Sequence, residues 1–279
     1  MTFTAGIDVG ATYTKAVVLS GAGEVAATAL KNTGFKLGEV ARQVFEAALA
    51  NAGLNPSDVS YIVATGFGRH TADFADTQAT DLTASAHGAA WLFPRTRTIL
   101  DVGGQTMKAT RLDPQRRVKS FRLNDKCAAG TGAFLEKTAR YMGYATAEIG
   151  ALLAASRQPV PISGVCAVFA ESEVINQLSL GSAPADIMLG AVVSLVGRSV
   201  QLMKRVQMEP EFTLIGGILR YERMARLVRE QLNTEVNVPP PELVQHVGAL
   251  GAAVLGRRRQ EKLAAQRAAA PDAAPAAGA

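Results

Sequence analysis

Short apolar runs alternate along the chain with longer segments in which apolar residues recur at helical spacing. The short runs predict strands at 6–10 and 15–19, two further strands within 99–112, and single strands at 61–64, 212–215 and 235–238. Spacings of three and four residues predict helices at 37–49, 80–91, 128–142, 170–180, 185–206, 220–232 and from about 247 onward. Because strands and helices alternate throughout, the sequence predicts an α/β fold.

An internal repeat relates the first two predicted strands to the pair at 99–112. Asp8-Val9-Gly10 aligns with Asp101-Val102-Gly103, and Lys15 and Lys108 each follow their aspartate by seven residues. Each copy therefore places a carboxylate at a strand end, then small residues, then a lysine. We expect an ordered core at 1–256 made of two similar lobes, at about 1–125 and 126–256, with a cleft between them.

The composition of the 279 residues narrows the class of protein. Apolar residues make up 48% and charged residues 19%, which excludes disorder along the whole chain. The net charge is +5, but the tail at 257–279 alone holds five basic residues against two acidic ones. The rest of the chain therefore lacks the basic face that nucleic-acid binding needs. We interpret the tail as the solvated basic end of a terminal helix, followed from 268 by a disordered stretch rich in alanine and proline.

The sequence predicts neither export nor membrane insertion. The first ten residues contain no basic residue, and the longest strongly apolar stretch, 187–197, has 11 residues before Arg198. A membrane-spanning helix needs roughly 20 apolar residues. With only two cysteines, a secreted fold held by disulfides is excluded. We therefore expect a cytoplasmic protein without a membrane partner.

Both copies of the repeat have the features of a phosphate-binding turn. Glycine lets backbone N–H groups approach phosphate oxygens closely, and Thr12 and Thr106 can donate hydroxyl hydrogen bonds. Asp8 and Asp101 would lie where a hydrated Mg²⁺ ion could bridge them to the phosphates. The two lysines either supply positive charge nearby or are exposed strand residues.

One such turn alone is better explained as an ordinary hairpin. Two copies, together with Gly130-Thr131-Gly132 and Gly216-Gly217, favour nucleotide binding. The chain contains no Gly-x-x-x-x-Gly-Lys-Ser/Thr motif and no Gly-x-Gly-x-x-Gly motif opening a helix, which argues against a P-loop or a dinucleotide-binding fold.

The segments 8–12 and 101–106, with Gly216-Gly217, resemble the two phosphate motifs and the adenosine motif of the actin, Hsp70 and sugar kinase superfold. The resemblance implies that ATP, with Mg²⁺, lies between two ribonuclease-H-like lobes. The residues it implies for catalysis are Asp8, Asp101 and Thr106. The residues it implies for nucleotide binding are Gly10, Ala11, Thr12, Lys15, Gly103, Gly104, Gln105, Gly130, Gly132, Gly216 and Gly217.

The two cysteines, Cys127 and Cys166, each lie just before a predicted helix. Neither belongs to a Cys-x-x-Cys pair, so spacing alone favours two buried apolar residues. The partial positive charge of a helix N-terminus, however, lowers the pKa of a thiol and suits an anionic cluster. Two thiolates are too few for a [4Fe–4S] cluster, which generally takes four cysteines. A dimer supplies four, which predicts one cluster per dimer at the subunit interface.

The segments 124–132 and 168–175, which read Asn-Asp-Lys-Cys-Ala-Ala-Gly-Thr-Gly and Val-Phe-Ala-Glu-Ser-Glu-Val-Ile, closely resemble one ATPase family. This family includes activators of 2-hydroxyacyl-CoA dehydratases and ATP-binding subunits of benzoyl-CoA reductase, and the resemblance covers about 5–256. It implies a [4Fe–4S] cluster shared by two subunits, with Cys127 and Cys166 as its ligands here. It also implies that ATP hydrolysis drives a low-potential electron, supplied by a donor such as ferredoxin, to a catalytic partner.

Details of the sequence favour one branch of that family. The activators usually have aspartate where Thr106 lies, and a His-Ala pair where Ser85-Ala86 lies. The segments 1–8, 139–143, 182–184 and 261–264 look more like the smaller ATPase subunit of benzoyl-CoA reductase, which pairs with a paralogous ATPase subunit and docks on catalytic subunits. A dehydratase activator, active as two identical chains, is the alternative. A small-molecule kinase and a nucleotide-dependent scaffold of the same superfold are more distant ones. If the aspartate usual in the activators orients the attacking water, Thr106 at the same position weakens ATP hydrolysis in this chain.

Overall fold

The computed structural model describes residues 2–124, 130–162 and 167–269. The first part of the chain forms β1 (Phe3–Val9), β2 (Tyr13–Ser20), β3 (Val25–Asn32), α1 (Leu37–Ala52), β4 (Val59–Thr65), β5 (Thr77–Gln78) and α2 (Asp81–Leu92). The second part forms β6 (Thr98–Val102), β7 (Met107–Leu112), β8 (Val118–Asn124), α3 (Gly132–Tyr141), α4 (Ile149–Ala155), α5 (Ala167–Ser179), α6 (Pro184–Arg205), β9 (Phe212–Ile215), α7 (Glu222–Leu232), β10 (Val236–Asn237) and α8 (Val247–Ala269).

Two five-stranded sheets with the same topology form the framework. The first has the order β3-β2-β1-β4-β5 and the second, written in the matching direction, β8-β7-β6-β9-β10. In each sheet the first three strands are antiparallel and the other two are parallel to the central strand. The predicted repeat is therefore confirmed as a repeat of structure, and the chain has the expected α/β architecture of two ribonuclease-H-like lobes.

The two sheets divide the chain earlier than expected. The second sheet begins at Thr98, well before the boundary predicted near residue 125. The reason is that β6 pairs with β9, and β7 and β8 extend the same sheet on the other side of β6. The last helix, α8, returns to pack against β1, β2 and β4 of the first sheet. Each lobe is therefore built from segments distant in sequence, which local patterns do not reveal.

Each lobe has its own apolar core. In the first, α1 covers the sheet with Val44, Phe45 and Leu49. In the second, α6 is the central helix and packs against α4, α7, β7 and β8. Within the described ranges, α6 is the one helix long and apolar enough to cross a membrane, but most of its apolar segment is buried inside the second core. Such burial is typical of the core helix of a soluble domain.

The helices α2 and α8 cross at very close range between the lobes. A Cβ atom on Gly251 would lie 1.7 Å from the carbonyl oxygen of Ala84, and one on Gly88 would lie 2.1 Å from that of Val247. Val247 and the α2 residues Ala86 and Ala89 share an apolar cluster with side chains of the second sheet. The crossing therefore connects the two lobes, and it depends on glycine at both helices.

We expect Gly251→Ala to destabilise the protein by about 3 kcal/mol, since its new methyl group would meet backbone atoms that cannot rotate away. The matched control is Gly197→Ala, also in a helix interior, where no heavy atom lies within 4 Å of the added Cβ. This control should gain about 1 kcal/mol from helix propensity. Denaturant unfolding of both variants measures the difference in the free energy of unfolding. Equal free energies of unfolding would show that α2 and α8 are free to move apart.

Candidate functional site

A cleft of about 430 Å³ lies between the two lobes, a volume suited to a nucleotide-sized ligand. The predicted site residues that line it are Asp8, Gly10, Ala11, Thr12, Lys15, Asp101, Gly103, Gly104, Gln105, Thr106, Gly132, Gly216 and Gly217. Gly130 is not among the described residues that line it. Cys127 and Cys166 lie outside the described residues. The structure thus brings together residues that lie far apart in sequence, such as Asp8 and Gly217.

The turns that follow β1 and β6 are built alike. The Gly10 N–H donates to the carbonyl oxygen of Tyr13 at 3.2 Å, and the Gly103 N–H donates to that of Thr106 at 2.9 Å. Thr106 is therefore the structural counterpart of Tyr13 and closes the second turn through its backbone. Its side chain, half-buried, faces the cleft.

The two turns meet at the centre of the cleft. A Cβ atom on Gly104 would lie only 2.7 Å from Oγ1 of Thr12, so the second turn must be free of side chain at this point. The N-terminus of α3 supports the second turn, since Gly132 N–H donates to Gly103 O at 2.9 Å and Ala133 N–H donates to Gly104 O at 2.8 Å. The Gly132 amide is thus engaged with the turn, and its proposed contact with nucleotide stays a prediction.

Aspartate and lysine face each other in both hairpins. Asp8 is paired in register with Lys15, and Asp101 with Lys108. The Nζ atom of Lys15 lies 3.0 Å from Oδ2 of Asp8. Lys108 is 2.7 Å from Oδ2 of Asp81, on α2, and 3.5 Å from Oδ2 of Asp101. The lysine side chains are only 17% and 16% exposed, so the alternative that they are exposed strand residues is wrong.

Burial and neighbouring charge shift the pKa values of the second cluster. Burial raises the pKa of Asp101, and the Lys108 ammonium only partly opposes this. Burial alone would lower the pKa of Lys108, but the carboxylates of Asp101 and Asp81 outweigh it and raise that pKa. Burial would likewise raise the pKa of Asp81, but attraction to Lys108 prevails and lowers it. Lys108 therefore stays charged, and Asp101 is a half-buried carboxylate that a further cation would stabilise.

Glycines at equivalent positions pack closely against both aspartates. Gly66 follows β4 with φ +88°, and Gly216 follows β9 with φ +101°. A Cβ atom on Gly66 would lie 2.4 Å from Oδ1 of Asp8, and one on Gly216 would lie 2.9 Å from Oδ1 of Asp101. Both aspartates line the cleft, and carboxylate oxygens are ligands that Mg²⁺ accepts, usually with phosphate oxygens and water completing its shell. The residues present therefore fit a magnesium nucleotide.

Sequence reasoning missed several residues that line the cleft. The missed residues include Gly66, Phe67, Arg69, Asp81, Ser85, Glu136, Arg220 and Tyr221. Gly66 could have been found, because the repeat makes it the counterpart of Gly216. Tyr221 could not: its hydroxyl donates to the carbonyl oxygen of Thr146 at 3.2 Å, and the Arg220 guanidinium lies 5.0 Å from its ring centroid, but no motif marks them.

Comparison with known proteins agrees with this geometry. The model of the BadF/BadG/BcrA/BcrD ATPase family matches residues 5–256. The activator of lactoyl-CoA dehydratase from Anaerotignum propionicum is 39% identical, over 93% of this chain and 99% of the relative. One of the subunits of benzoyl-CoA reductase from Thauera aromatica is 36% identical, over 95% of this chain and 96% of the relative.

Solved structures show the same likeness. The activator of 2-hydroxyisocaproyl-CoA dehydratase from Clostridium difficile, solved with bound ADPNP, superposes with a TM-score of 0.88 at 35% identity, over 98% of this chain and 100% of that one. A ROK family glucokinase from Streptomyces griseus, at 15% identity and a TM-score of 0.56, shares the fold alone. With two such lobes, a cleft between paired glycine turns and relatives matched along nearly their whole length, the chain belongs to the BadF/BadG/BcrA/BcrD ATPase family.

Proposed function

We propose that the chain binds MgATP in the cleft and couples its hydrolysis to delivery of a low-potential electron to a catalytic partner that acts on a CoA thioester. The ATPase family supports the binding and hydrolysis of ATP. The names of the relatives support a catalytic partner that acts on a CoA thioester. The observation that carries the coupling is the hydrogen-bonded contact between the second phosphate turn and the start of α3.

Different residues of the cleft would bind the magnesium ion and the phosphates of the nucleotide. The carboxylates of Asp8 and Asp101 would hold the magnesium ion, and the turns at Gly10 and Gly103 would take the phosphates. Lys15 would supply charge from the first lobe. Because the turns belong to different lobes, loss of the terminal phosphate would remove contacts between them and favour a different lobe arrangement.

The second turn is connected to the segment that contains Cys127. That segment lies in sequence between β8 and α3, and the amides of Gly132 and Ala133 at the start of α3 bind the carbonyls of the second turn. In addition, α3 contacts α5, which begins directly after Cys166, through a hydrogen bond from the Tyr141 hydroxyl to the Glu171 carboxylate. Movement of the second turn would therefore be transmitted to both cysteine segments.

We propose that Cys127 and Cys166 ligate a [4Fe–4S] cluster, which would supply the low-potential electron. Thiolates are the usual ligands of such clusters, and four are generally needed, so two chains would share one cluster. In the described ranges, no group of three or more His, Cys, Asp and Glu side chains could hold a metal ion, so those parts of the chain offer no competing site. The second chain would be a paralogous ATPase subunit or an identical copy, and a ferredoxin would reduce the cluster in the cytoplasm.

For the catalytic partner we propose a class I, ATP-dependent benzoyl-CoA reductase. Thr106 and Ser85, which both line the cleft, differ from the residues usual in the activators, and the Thauera aromatica relative matches over 95% of this chain. A 2-hydroxyacyl-CoA dehydratase is the second candidate, favoured by the 39% identity of the lactoyl-CoA dehydratase activator. Anaerobic assays with each partner would separate them: ATP-dependent reduction of benzoyl-CoA supports the first, and dehydration of a 2-hydroxyacyl-CoA supports the second.

The cluster itself is tested by anaerobic purification followed by iron and acid-labile sulfide analysis. We expect about four iron atoms and four sulfides for every two chains, the content of one cluster. Protein that hydrolyses ATP but contains no iron after anaerobic isolation would contradict the electron-transfer proposal and favour a kinase or a scaffold. Chelator-treated protein re-supplied with iron and sulfide provides the control for loss during purification.

A further inference from the structure

The two hairpins of the repeat have the same register but different ion pairs. Lys15 lies 3.0 Å from the aspartate that faces it, Asp8. Lys108 lies 3.5 Å from the aspartate that faces it, Asp101, and its closest acidic partner is Asp81 of α2 at 2.7 Å. The second lysine is thus drawn away from its own hairpin, and Asp101 is less closely paired than Asp8.

The Asp81 carboxylate is fixed in place from two sides. It is the first residue of α2, and its Oδ1 atom accepts a hydrogen bond from the Leu82 N–H at 2.9 Å. Its Oδ2 atom binds Lys108. In addition, α2 crosses α8 with close backbone contacts at Gly88 and Gly251, which hold the helix against its neighbour.

We propose that Asp81 is a positioning residue: by binding Lys108 it keeps the carboxylate of Asp101 available to the cation of the bound nucleotide. This inference rests on the proposed function, since the cation and the nucleotide belong to it. Without Asp81, Lys108 would move onto Asp101 and form the kind of close pair seen between Lys15 and Asp8. The cation would then meet a half-buried carboxylate whose negative charge an ammonium group already offsets.

Other charged groups face the same cluster and must be kept constant in a test. Asp8 and Lys15 act on Asp101 from the first hairpin, and Arg69 acts on Asp81 from the turn after β4. A purely structural ion pair between Asp81 and Lys108 is the competing explanation. Both explanations predict that removing Lys108 restores stability lost without Asp81, since an unpaired, poorly exposed charge is costly. Only the positioning role predicts that the Mn²⁺ affinity of the folded protein falls without Asp81 and returns when Lys108 is also removed.

The experiment measures Mn²⁺ binding in the presence of ADP by electron paramagnetic resonance, with Mn²⁺ as the probe for the magnesium site. We expect Asp81→Asn to weaken Mn²⁺ binding by about 10- to 100-fold, the usual effect of losing a group that orients a metal ligand. The double variant Asp81→Asn/Lys108→Met should return to within about threefold of the wild type, because no ammonium then competes for Asp101. Asp73→Asn, which removes the same charge from an exposed ion pair with Arg42, should bind like the wild type.

The outcomes distinguish this inference from the proposed function. If the wild-type chain binds neither ADP nor Mn²⁺, the proposed function fails. If the wild type binds both, but Asp81→Asn is unchanged or the double variant stays as weak as the single one, only the positioning role is overturned. Should Asp81→Asn not fold, Lys108→Met decides: Mn²⁺ affinity at least equal to that of the wild type supports the proposal, and affinity about tenfold weaker overturns it.

Discussion

Asp101→Asn should lower the turnover number for ATP by about 10²- to 10³-fold, the loss typical of removing one preorganised charge-stabilising group from an active site. Asp101 lies near the end of β6, half-buried in the cleft wall, with its Oδ1 atom close to Gly216. Asparagine has the same shape but lacks the negative charge that a magnesium ion needs. Steady-state phosphate release from MgATP measures the effect directly.

The same substitution should leave the fold intact. Burial raises the pKa of Asp101 above its ordinary value of 3.8, so the folded state binds a proton more tightly than the unfolded state does. The ionised carboxylate therefore destabilises the fold increasingly as the pH rises from about 3.8 through the folded-state pKa, and asparagine removes this penalty. Lys108 keeps its partner Asp81, so no lysine is left unpaired.

A thermal melt and a matched control complete this test. We expect the melting temperature of Asp101→Asn at neutral pH to equal or exceed that of the wild type, while Asp73→Asn, at an exposed ion pair, should change neither activity nor stability. A loss of turnover below about tenfold would exclude Asp101 as a cation ligand. A lowered melting temperature together with lost activity would instead indicate a structural role.

Local pattern predicted most of the fold, because its elements have clear periods and clear ends. The helix predicted at 37–49 is α1, which ends one turn later at a left-handed Gly53, and the strand predicted at 212–215 is β9. The short helix α4 and the edge strand β8 were not predicted, since a seven-residue helix and a mixed polar strand give weak periodic signals. The assignment of strands to lobes depends on pairing between distant segments, which no local pattern records.

For the site, residues within the repeat were predictable and residues brought in by tertiary packing were not. Asp8 and Asp101 are marked by their place at equivalent strand ends, and the structure puts both in one cleft. Asp81 has no such mark, because an acidic residue in the first turn of a helix is common. Its place in the cleft lining and the distance of 2.7 Å between its carboxylate and Lys108 show that it belongs to the site.

Cys127→Ser and Cys166→Ser should each abolish ATP-dependent electron transfer to the catalytic partner while ATP binding survives. Serine does not replace a cluster thiolate at neutral pH, so a pair of variant chains would retain two of the four thiolates that a [4Fe–4S] cluster generally takes. The nucleotide cleft should be unaffected, because its described lining residues do not include either cysteine and come from the two sheets and their turns and from the region of α2, α3, α4 and α8. Iron analysis, ATP-binding titration and partner reduction would be measured on one anaerobic preparation.

Asp101→Asn is the reciprocal control for the cysteine variants. It should retain about four iron atoms per two chains, as one intact cluster requires, but fail to hydrolyse ATP. The cysteine variants would then lose the cluster and electron transfer but keep ATP binding, whereas Asp101→Asn would keep the cluster but lose ATP hydrolysis. Coupling through the second turn and α3 requires this separation. Iron retained in Cys127→Ser, or ATP binding lost with the cluster, would contradict this separation. The second result would mean that the cluster is needed to assemble the cleft, rather than being driven by it.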